Sequence, residues 1–437
     1  MREVTVIGAG LAGAEAAWQL AKRGIKVRLF EMRPIKVSPA HHTPFFAELV
    51  CSNSLGGINL DNAAGLLKEE LRMLDSLVIK AADRNRVPAG NALAVDRNTF
   101  AEEVTLRLSQ HPLVEVVREE VFELNPEEIT IIASGPLTSM ALAENLKQYL
   151  ESDYLYFFDA AAPIVSGESL NMGKLFFAGR YQQDQDYLNA PMNEVEYNKF
   201  YEALISAERH PLKPFEKGIY YEGCLPLEVI AGRGRDTLRY GPLKPKGLID
   251  PRTGKEPYAV VQLRRENLAG DYYNLVGFQT NLTWGEQNRV FRLIPGLEQA
   301  EFIRYGVMHK NTFINSPVVL TPYLNLKKYP NLFFAGQITG GEGYVAAIAT
   351  GAWAGIAAAG AVLNKLPAPL PSTTMIGGLI NYLNTADPDN FQPMGVNFGL
   401  LLPLEKKIKN KKERYQLLAQ RSLNDLKRWL ELNAGGA

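Results

Sequence analysis

The chain opens with an alternation of polar and apolar residues that predicts a short β-strand from Glu3 to Ile7. A glycine-rich turn at residues 8–13 follows, and the stretch AEAAWQLAKR, from Ala14, then repeats apolar residues with a helical period. The segment IKVRLFE at residues 25–31 returns to a strand pattern. This order of strand, turn, helix and strand predicts a βαβ unit with parallel strands.

The hydrophobic pattern changes character twice more along the chain. The strand EITIIASGP (residues 128–136) and the amphipathic run TSMALAENLKQYL extend the first unit and predict one more strand of its parallel sheet. From about Tyr154 to about Arg304 the chain is aromatic and hairpin-like, with segments such as PYAVVQL and YYNLVGFQT. The glycine-rich helical pattern resumes at NLFFAGQITGGEGYVAAIATG. We therefore predict a nucleotide-binding domain at 1–153 that is interrupted by an insertion domain at 154–304 and completed, with C-terminal helices, at 305–437.

Residues 344–363 are apolar enough to imitate a membrane span, because they include twenty residues and no charge. Nine of them are alanine and three are glycine, which gain little free energy on transfer into lipid compared with leucine or phenylalanine. We predict a closely packed, buried helix in this segment and no association with a membrane.

Composition narrows the class of protein. The 437 residues are 46% hydrophobic and 22% charged, with a formal net charge of zero, which is ordinary for a globular chain of two or three domains. Two cysteines cannot form a disulfide framework, and the first strand begins without a preceding leader pattern. These features predict a cytoplasmic protein. The scattered histidines and the lack of a C-x-x-C pair predict no metal site.

The turn at residues 8–13 reads G-x-G-x-x-G directly between a strand and a helix. Gly8 allows the tight turn, Gly10 lets the backbone approach a pyrophosphate, and Gly13 lets the helix pack on the strand. Glu31 stands eighteen residues beyond Gly13, where its carboxylate can accept hydrogen bonds from ribose hydroxyls. The pattern therefore predicts a dinucleotide-binding site.

A second small-residue turn before a long helix favours FAD over a nicotinamide cofactor. Its glycines are Gly336, Gly340, Gly341 and Gly343. A helix N-terminus of this kind can face the ribityl chain and flavin ring, and no second G-x-G-x-x-G provides a stable site for NAD(P)H. The predicted fold class is α/β, a split Rossmann-like FAD-binding domain with an α+β insertion domain, and NAD(P)H is expected only as a transient reductant.

Long sequence runs beyond these glycines resemble the bacterial folate- and FAD-dependent tRNA (uracil-5-)-methyltransferases almost from end to end. The runs are ELVCSNSLGG, GLLKEELRMLDSLVIKAADRNRVPAGNALAVDR, YFFDAAAPIV, YYEGCLPLEVIAGRGRDTLRYGPLKP, NLVGFQTNLTWGEQNRVFRLIPGLE, RYGVMHKNTFINSP and LFFAGQITGGEGY. The resemblance implies a reaction in which 5,10-methylenetetrahydrofolate gives a carbon to C5 of the T-loop uridine, tRNA position 54. Reduced FAD, regenerated by NAD(P)H, supplies the electrons. The chain departs from many members at residues 56–57.

The same resemblance assigns roles to the two cysteines. Cys224, in YYEGCLP, is implied as the thiolate that adds to C6 of the uracil, since C5 is a poor nucleophile until such an addition occurs. Cys51, in ELVCSNSLGG, is implied to lie near the flavin, as an acid–base partner, a protector of the flavin adduct or an alternative nucleophile. A disulfide between the two is a further interpretation, and a small buried side chain is the structural alternative for Cys224.

The resemblance also bears on His309 and Arg97. His309, in YGVMHKNTF, is implied to line the folate pocket, with a surface histidine as the alternative. Arg97 is implied to flank the FAD, while the neighbouring Asp96 is equally consistent with a simple helix N-cap. His41 and His42 are interpreted as solvated loop residues without a role.

Two basic segments bear on the RNA partner. Residues 233–255 contain seven Lys or Arg against two Asp, and residues 405–414 contain six against two Glu. Such segments can neutralise phosphates, so we predict that Arg233 and Arg235 contact the T-arm of tRNA. A solvated charged face is the alternative, equally favoured for the second segment.

Other functions compete with this interpretation. A flavin enzyme that modifies the wobble uridine with a partner protein shares the fold, but it usually carries a long C-terminal helical domain for which this chain is too short. A non-catalytic flavin-binding tRNA chaperone would not need the cysteines, and a simple NAD(P)H oxidase would not need folate. We expect no obligate protein partner.

Overall fold

The computed structural model describes residues 3–38, 40–150, 155–182, 184–210 and 225–434. Its strands are β1 Glu3–Ile7, β2 Lys26–Phe30, β3 Ser54–Gly57, β4 Arg86–Val87, β5 Ala92–Val95, β6 Val114–Val117, β7 Thr130–Ile132, β8 Leu155–Ala160, β9 Ile164–Ser166, β10 Phe176–Phe177, β11 Leu188–Met192, β12 Ala259–Arg265, β13 Tyr272–Leu275, β14 Phe302–Arg304, β15 Met308–Phe313, β16 Leu332–Phe334, β17 Gly341–Glu342 and β18 Met394–Gly395. Its helices are α1 Leu11–Ala21, α2 Ala63–Met73, α3 Leu77–Arg84, α4 Arg97–Ser109, α5 Met140–Leu150, α6 Glu194–Ile205, α7 Leu227–Gly232, α8 Thr237–Tyr240, α9 Trp284–Phe291, α10 Ser316–Val319, α11 Tyr344–Val362, α12 Met375–Thr385 and α13 Lys411–Ala434.

A five-stranded parallel sheet has the order β16-β7-β1-β2-β6. Four of its strands come from the first third of the chain, and β16 comes from the last third. The sheet therefore joins the two ends of the sequence, as predicted for a split Rossmann-like domain. The predicted strand at residues 128–136 belongs to this sheet as β7, but it is shorter than expected, at Thr130–Ile132.

A second, six-stranded sheet has the order β10-β11-β12-β13-β9-β14, with antiparallel neighbours throughout. The hairpin-like sequences PYAVVQL and YYNLVGFQT form β12 and β13 of this sheet. A separate pair, β8 with β15, is also antiparallel. Each large sheet is the centre of its own buried apolar cluster.

The helix α1 begins three residues earlier than the sequence pattern predicts. Gly10 is its N-cap, so the turn continues into the helix without a break, and Gly13 lies inside the helix. The helix ends at Ala21 because the chain reverses at Gly24, whose φ is +72°, a value that glycine adopts without strain.

The apolar helix α11 packs directly on α1, and glycine makes this close approach possible. A Cβ at Gly351 would lie 2.2 Å from the carbonyl oxygen of Ala12, and a Cβ at Gly355 would lie 2.7 Å from that of Ala16. Among the described residues, α11 is the one helix long and apolar enough to cross a membrane. Of its apolar 18-residue stretch, 89% is buried within the protein. The prediction of a closely packed, buried helix is confirmed.

Candidate active site

A cavity of about 380 Å³ lies at the carboxyl end of the parallel sheet. Its walls come from the turn after β1, the end of β2 and the loop beyond it, residues 48–54, the turn after β7, and the turn before α11. Ligands bind at this edge in open α/β sheets because loops and helix N-termini converge there. Residues 48–53 are called the Cys51 loop below.

The three glycines of the first turn have different surroundings. Gly8 has a φ of +95°, and a Cβ there would lie 2.6 Å from the carbonyl oxygen of Ala133 on β7's following turn. A Cβ at Gly13 would lie 1.7 Å from the carbonyl oxygen of Gly8. A Cβ at Gly10 would meet no atom within 4 Å, although Gly10 lines the cavity. Gly8 and Gly13 thus shape the turn, and Gly10 leaves open space at the N-terminus of α1, where an anionic group is favoured.

Glu31 lines the cavity and holds the turn at residues 8–13 in place by a hydrogen bond. Its Oε2 accepts a hydrogen bond from the backbone N–H of Ala9 at 3.0 Å, and its Oε1 accepts from the backbone N and Nε of Arg33 at 3.1 and 2.9 Å. Burial works to raise the pKa of Glu31, but the hydrogen bonds and charge of Arg33 outweigh it and lower that pKa below its ordinary value. The carboxylate is therefore charged, and its contact with a ribose stays a prediction.

His41 also lines this cavity, which the sequence did not indicate. Its Nδ1 lies 2.6 Å from Oγ of Ser38. Burial, together with the nearby charge of Arg33, lowers the pKa of His41 to about 4, so the ring is neutral at neutral pH. The expectation of two solvated histidines is met only by His42, which is exposed. No local pattern marks His41, because its position depends on how the loop after β2 folds back.

The second turn contributes two of its four glycines to the cavity wall. Gly336 and Gly343 line the cavity, with φ values of +86° and +93°. Gly340 and Gly341 are not among the lining residues: a Cβ at Gly340 would lie 2.6 Å from the ring of Phe391, and Gly341 pairs with β18. Gly343 caps the N-terminus of α11, so a second helix begins at the cavity.

The Cys51 loop is held from both sides by long-range hydrogen bonds. The backbone N–H groups of Cys51 and Ser52 donate to Oη of Tyr344, the first residue of α11, at 2.7 and 3.1 Å. The carbonyl oxygen of Cys51 accepts from Nη2 of Arg97 at 3.0 Å and from Nη2 of Arg304 at 2.7 Å. Cys51 is half-buried and lines the cavity beside Tyr344. The structure thus brings this cysteine to the same cavity as the nucleotide-binding turn.

Arg97 stands behind that loop and is not among the residues that line the cavity. Its guanidinium also donates to the carbonyl oxygen of Leu49 and forms an ion pair with Glu266 of the hairpin after β12. Asp96 is the N-cap of α4 and accepts from the backbone N–H groups of Asn98 and Thr99 at 3.1 and 3.2 Å. The N-cap interpretation of Asp96 is confirmed, and contact of Arg97 with a cofactor stays a prediction.

Two of the predicted groups, the thiol of Cys224 and the imidazole of His309, lie outside the part of the chain that the structure describes. Cys224 lies outside the described residues, and so does any disulfide between it and Cys51. The backbone of His309 lies on β15 opposite Asp159 of β8, and its side chain is outside the described part of the chain. Both assignments stay predictions.

The predicted tRNA residues Arg233 and Arg235 are exposed and follow directly after α7. Nε of Arg235 donates to Oδ1 of Asn198 at 2.9 Å, and its Nη2 lies 3.3 Å from a carboxylate oxygen of Glu194. Tyr240, in the same basic segment, is 83% exposed. Across the described residues, no group of histidine, cysteine, aspartate and glutamate could hold a metal ion.

Comparison with known proteins adds the family context. The family model described as Glucose inhibited division protein A matches residues 3–366. The methylenetetrahydrofolate–tRNA-(uracil-5-)-methyltransferase TrmFO of Carboxydothermus hydrogenoformans is 85% identical over 433 residues, covering 99% of this chain and all of that protein. The TrmFO of Pelotomaculum thermopropionicum is 58% identical, covering 98% and 99% of the two chains. The solved form II structure of Aquifex aeolicus GidA is 17% identical with a TM-score of 0.69, covering 98% of this chain and 73% of that chain, which is a likeness of fold.

Proposed function

Because the chain belongs to the methylenetetrahydrofolate–tRNA-(uracil-5-)-methyltransferase family, we propose that it forms 5-methyluridine at the T-loop uridine of tRNA, position 54. The carbon comes from 5,10-methylenetetrahydrofolate and the two electrons from reduced FAD, so the products are methylated tRNA, tetrahydrofolate and FAD. The observation that carries the proposal is the single cavity that joins the nucleotide-binding turn to Cys51.

The residues around the cavity fit FAD. The open space at Gly10 leaves room for a pyrophosphate at the N-terminus of α1, whose N–H groups and dipole favour negative charge. A Cβ at Gly343, where α11 begins, would meet no atom within 4 Å, and a Cβ at Gly336 would lie 3.0 Å from that of Ala12 on α1. When bound, FAD supplies the redox chemistry, and NAD(P)H regenerates its reduced form. The residues that line the cavity would hold the cofactor.

The proposed nucleophile is Cys224. Addition of its thiolate to C6 makes C5 of the uracil nucleophilic, so that C5 can form a bond to the transferred carbon and later lose its proton. The assignment of Cys224 as the nucleophile rests on the resemblance of its sequence run to the methyltransferase family. Cys51, on the cavity wall, is proposed to act as acid–base partner, as protector of the flavin adduct or as alternative nucleophile. His309 is proposed to line the folate pocket.

Substrate binding and location follow from the same proposal. Arg233 and Arg235 are proposed to contact the phosphates of the T-arm, which their exposure supports. Bacterial tRNA is processed in the cytoplasm, so the proposed substrate implies a cytoplasmic enzyme. We further propose the domain division at 1–153, 154–304 and 305–437, supported by the placement of β9–β14 in one sheet and of β16 in the other.

The test uses the FAD-loaded protein with a tRNA transcript, NAD(P)H and 5,10-methylenetetrahydrofolate. We expect 5-methyluridine at position 54 by nuclease digestion and mass spectrometry, and a covalent complex with RNA that carries 5-fluorouridine there, because fluorine cannot leave C5 as a proton does. Cys224→Ala should lose both signals but keep FAD and slow NAD(P)H oxidation. Cys51→Ala should lose methylation while keeping part of the covalent complex.

Two rival functions, and the alternative choice of nucleophile, each give a different result in that test. Modification at the wobble uridine alone would identify the other flavin-dependent tRNA enzyme. NAD(P)H oxidation without any change in the RNA would identify an oxidase. A covalent complex with Cys224→Ala and none with Cys51→Ala would make Cys51 the nucleophile.

A further inference from the structure

The second basic segment, residues 405–414, is not used by the proposed chemistry. It holds six Lys or Arg against two Glu, a local net charge of about +4 on a chain whose formal net charge is zero. It precedes α13 and supplies that helix's first turn. Such an excess of one sign creates a local positive potential that attracts anionic partners.

Partners inside the protein are missing for most of these charges. The side chains of Lys406, Lys407, Lys409 and Lys412 are exposed, and none forms an ion pair or hydrogen bond with another side chain or carbonyl in the described ranges. Some lysines elsewhere do have such partners: Lys36 lies 2.6 Å from a carboxylate oxygen of Glu120, and Lys174 lies 2.6 Å from that of Glu298. The segment is therefore not neutralised by its own fold.

Aromatic rings form a wall beside these lysines. The ring of Tyr415 stacks on that of Phe398 with centroids 4.1 Å apart and an interplanar angle of 15°. Nζ of Lys411 and the guanidinium carbon of Arg414 lie 5.5 and 5.4 Å from the centroid of Tyr415. A cavity of about 590 Å³ is lined by these rings together with Lys406 and Lys407. Cations held on aromatic faces next to unpaired lysines are features of surfaces that bind nucleic-acid backbones.

Phe398, whose ring stacks on Tyr415 next to the segment, lies near the candidate active site. Glu342, which lines the cofactor cavity, belongs to β17 and pairs with Gly395 of β18. Phe398 follows Gly395 by three residues, a reach of at most about 11 Å, and neighbouring strands are about 5 Å apart. The Cα atom of Phe398 therefore lies within about 16 Å of that of Glu342 on the cavity wall. A substrate as large as tRNA spans this distance when its reactive base is in the cavity.

We propose that residues 405–414, with Tyr415, form a second binding surface for the phosphate backbone of the tRNA substrate. This inference rests on the proposed function and adds a surface that is separate from Arg233 and Arg235. Its contacts are electrostatic and independent of RNA sequence, because exposed lysines neutralise phosphates without reading bases.

The experiment compares Lys406→Gln/Lys407→Gln with the matched control Lys365→Gln/Lys427→Gln. The control removes two exposed lysines outside the segment. Lys427 lies on α13, thirteen residues or about 20 Å beyond Arg414. Binding of an unmodified tRNA transcript to the FAD-loaded proteins is measured at several salt concentrations. The first variant should bind about tenfold more weakly at low salt, with a log–log salt slope smaller in magnitude by about 1.4 to 1.8. FAD content, melting temperature and NAD(P)H oxidation should match the wild type in both variants.

The outcomes separate this surface from the proposed function. A wild type that methylates tRNA, together with an unchanged affinity and slope in Lys406→Gln/Lys407→Gln, would overturn the surface and leave the enzyme intact. Equal weakening in the control pair would also overturn it, because the effect would then reflect total charge. Loss of binding to vesicles that contain anionic lipid, without loss of tRNA affinity, would assign the segment to a membrane surface instead. A wild type that neither binds nor methylates tRNA would refute both proposals.

Discussion

Three glycines in one turn serve three different physical needs. Gly8 adopts a φ of +95°, which other residues rarely adopt, and Gly13 touches the carbonyl of Gly8 too closely for any side chain. Neither a positive φ nor a close contact requires glycine at Gly10, because a Cβ there would point into the cavity and meet no atom within 4 Å. A side chain at Gly10 would therefore compete with a ligand and leave the turn itself unstrained.

We expect Gly10→Val to fold with a melting temperature close to that of the apoprotein and to purify without the yellow colour of FAD. The branched side chain would occupy the space that a pyrophosphate needs at the N-terminus of α1. Flavin absorbance per chain and thermal unfolding are the measurements. Gly13→Val is the contrasting variant, because overpacking against the carbonyl of Gly8 should cost more than about 3 kcal/mol and prevent folding. Full flavin content in Gly10→Val would move the cofactor to another site.

At the scale of elements, one buried carboxylate joins three helices. Glu70 of α2 accepts hydrogen bonds from the backbone N–H groups of Met375 and Ile376, at 2.7 and 2.8 Å, at the start of α12. Its Oε1 also accepts from Oγ of Ser422 on α13. Burial raises the pKa of Glu70 to about 7 in spite of these hydrogen bonds. The protonated form is therefore favoured more in the folded than in the unfolded chain.

This raised pKa gives the stability contribution of Glu70 a defined sign. The folded state binds more protons than the unfolded state between the ordinary pKa of 4.5 and the folded value of about 7, so the contribution is complete below that range and is lost as pH rises through it. We expect the free energy of unfolding of the wild type, relative to that of Glu70→Gln, to fall by about 1 to 3 kcal/mol as the pH rises from 4.5 to about 7. Urea unfolding of both proteins at several pH values measures it. Glu69→Gln, which removes a half-exposed carboxylate from the same helix, is the matched control. A difference between the wild type and Glu70→Gln that stays constant with pH would contradict the expectation.

For the whole molecule, a small charged cluster connects the six-stranded sheet to the Cys51 loop and to α4. Glu266, buried after β12, pairs with Arg97 at the start of α4. Arg304, on β14 of the same sheet as β12, donates to the carbonyl oxygen of Cys51. Nε of Arg264 donates to Oδ1 of Asn53 at 2.7 Å. The loop that carries the cysteine is thus held in place by the sheet formed from the middle of the chain.

A double-mutant cycle measures this connection. We expect Arg97→Met and Glu266→Gln to be strongly non-additive, with a coupling energy of about 1 to 3 kcal/mol, because removing either partner leaves a buried charge without its counterion. The control cycle uses Lys174 and Glu298, whose side chains are 49% and 38% exposed and whose coupling should stay below about 1 kcal/mol. Chemical denaturation of the six variants and the wild type supplies the energies. Equal coupling in both cycles would refute a structural role for the buried pair.

The sequence by itself determined the local units: the first βαβ unit, the nucleotide-binding turn, the buried nature of α11 and the two turns that begin helices at the cavity. These units depend on backbone dihedral preferences and on apolar periodicity over a few residues, and both are set by the identities of residues that are neighbours in the sequence. Tertiary structure decided which glycine faces the cavity. It also placed Arg97 behind the Cys51 loop and not on the cavity wall, and it brought His41 to the cavity and Glu266 to Arg97. Those outcomes depend on packing between segments up to some three hundred residues apart, as between Cys51 and Tyr344, and no local pattern encodes such distances.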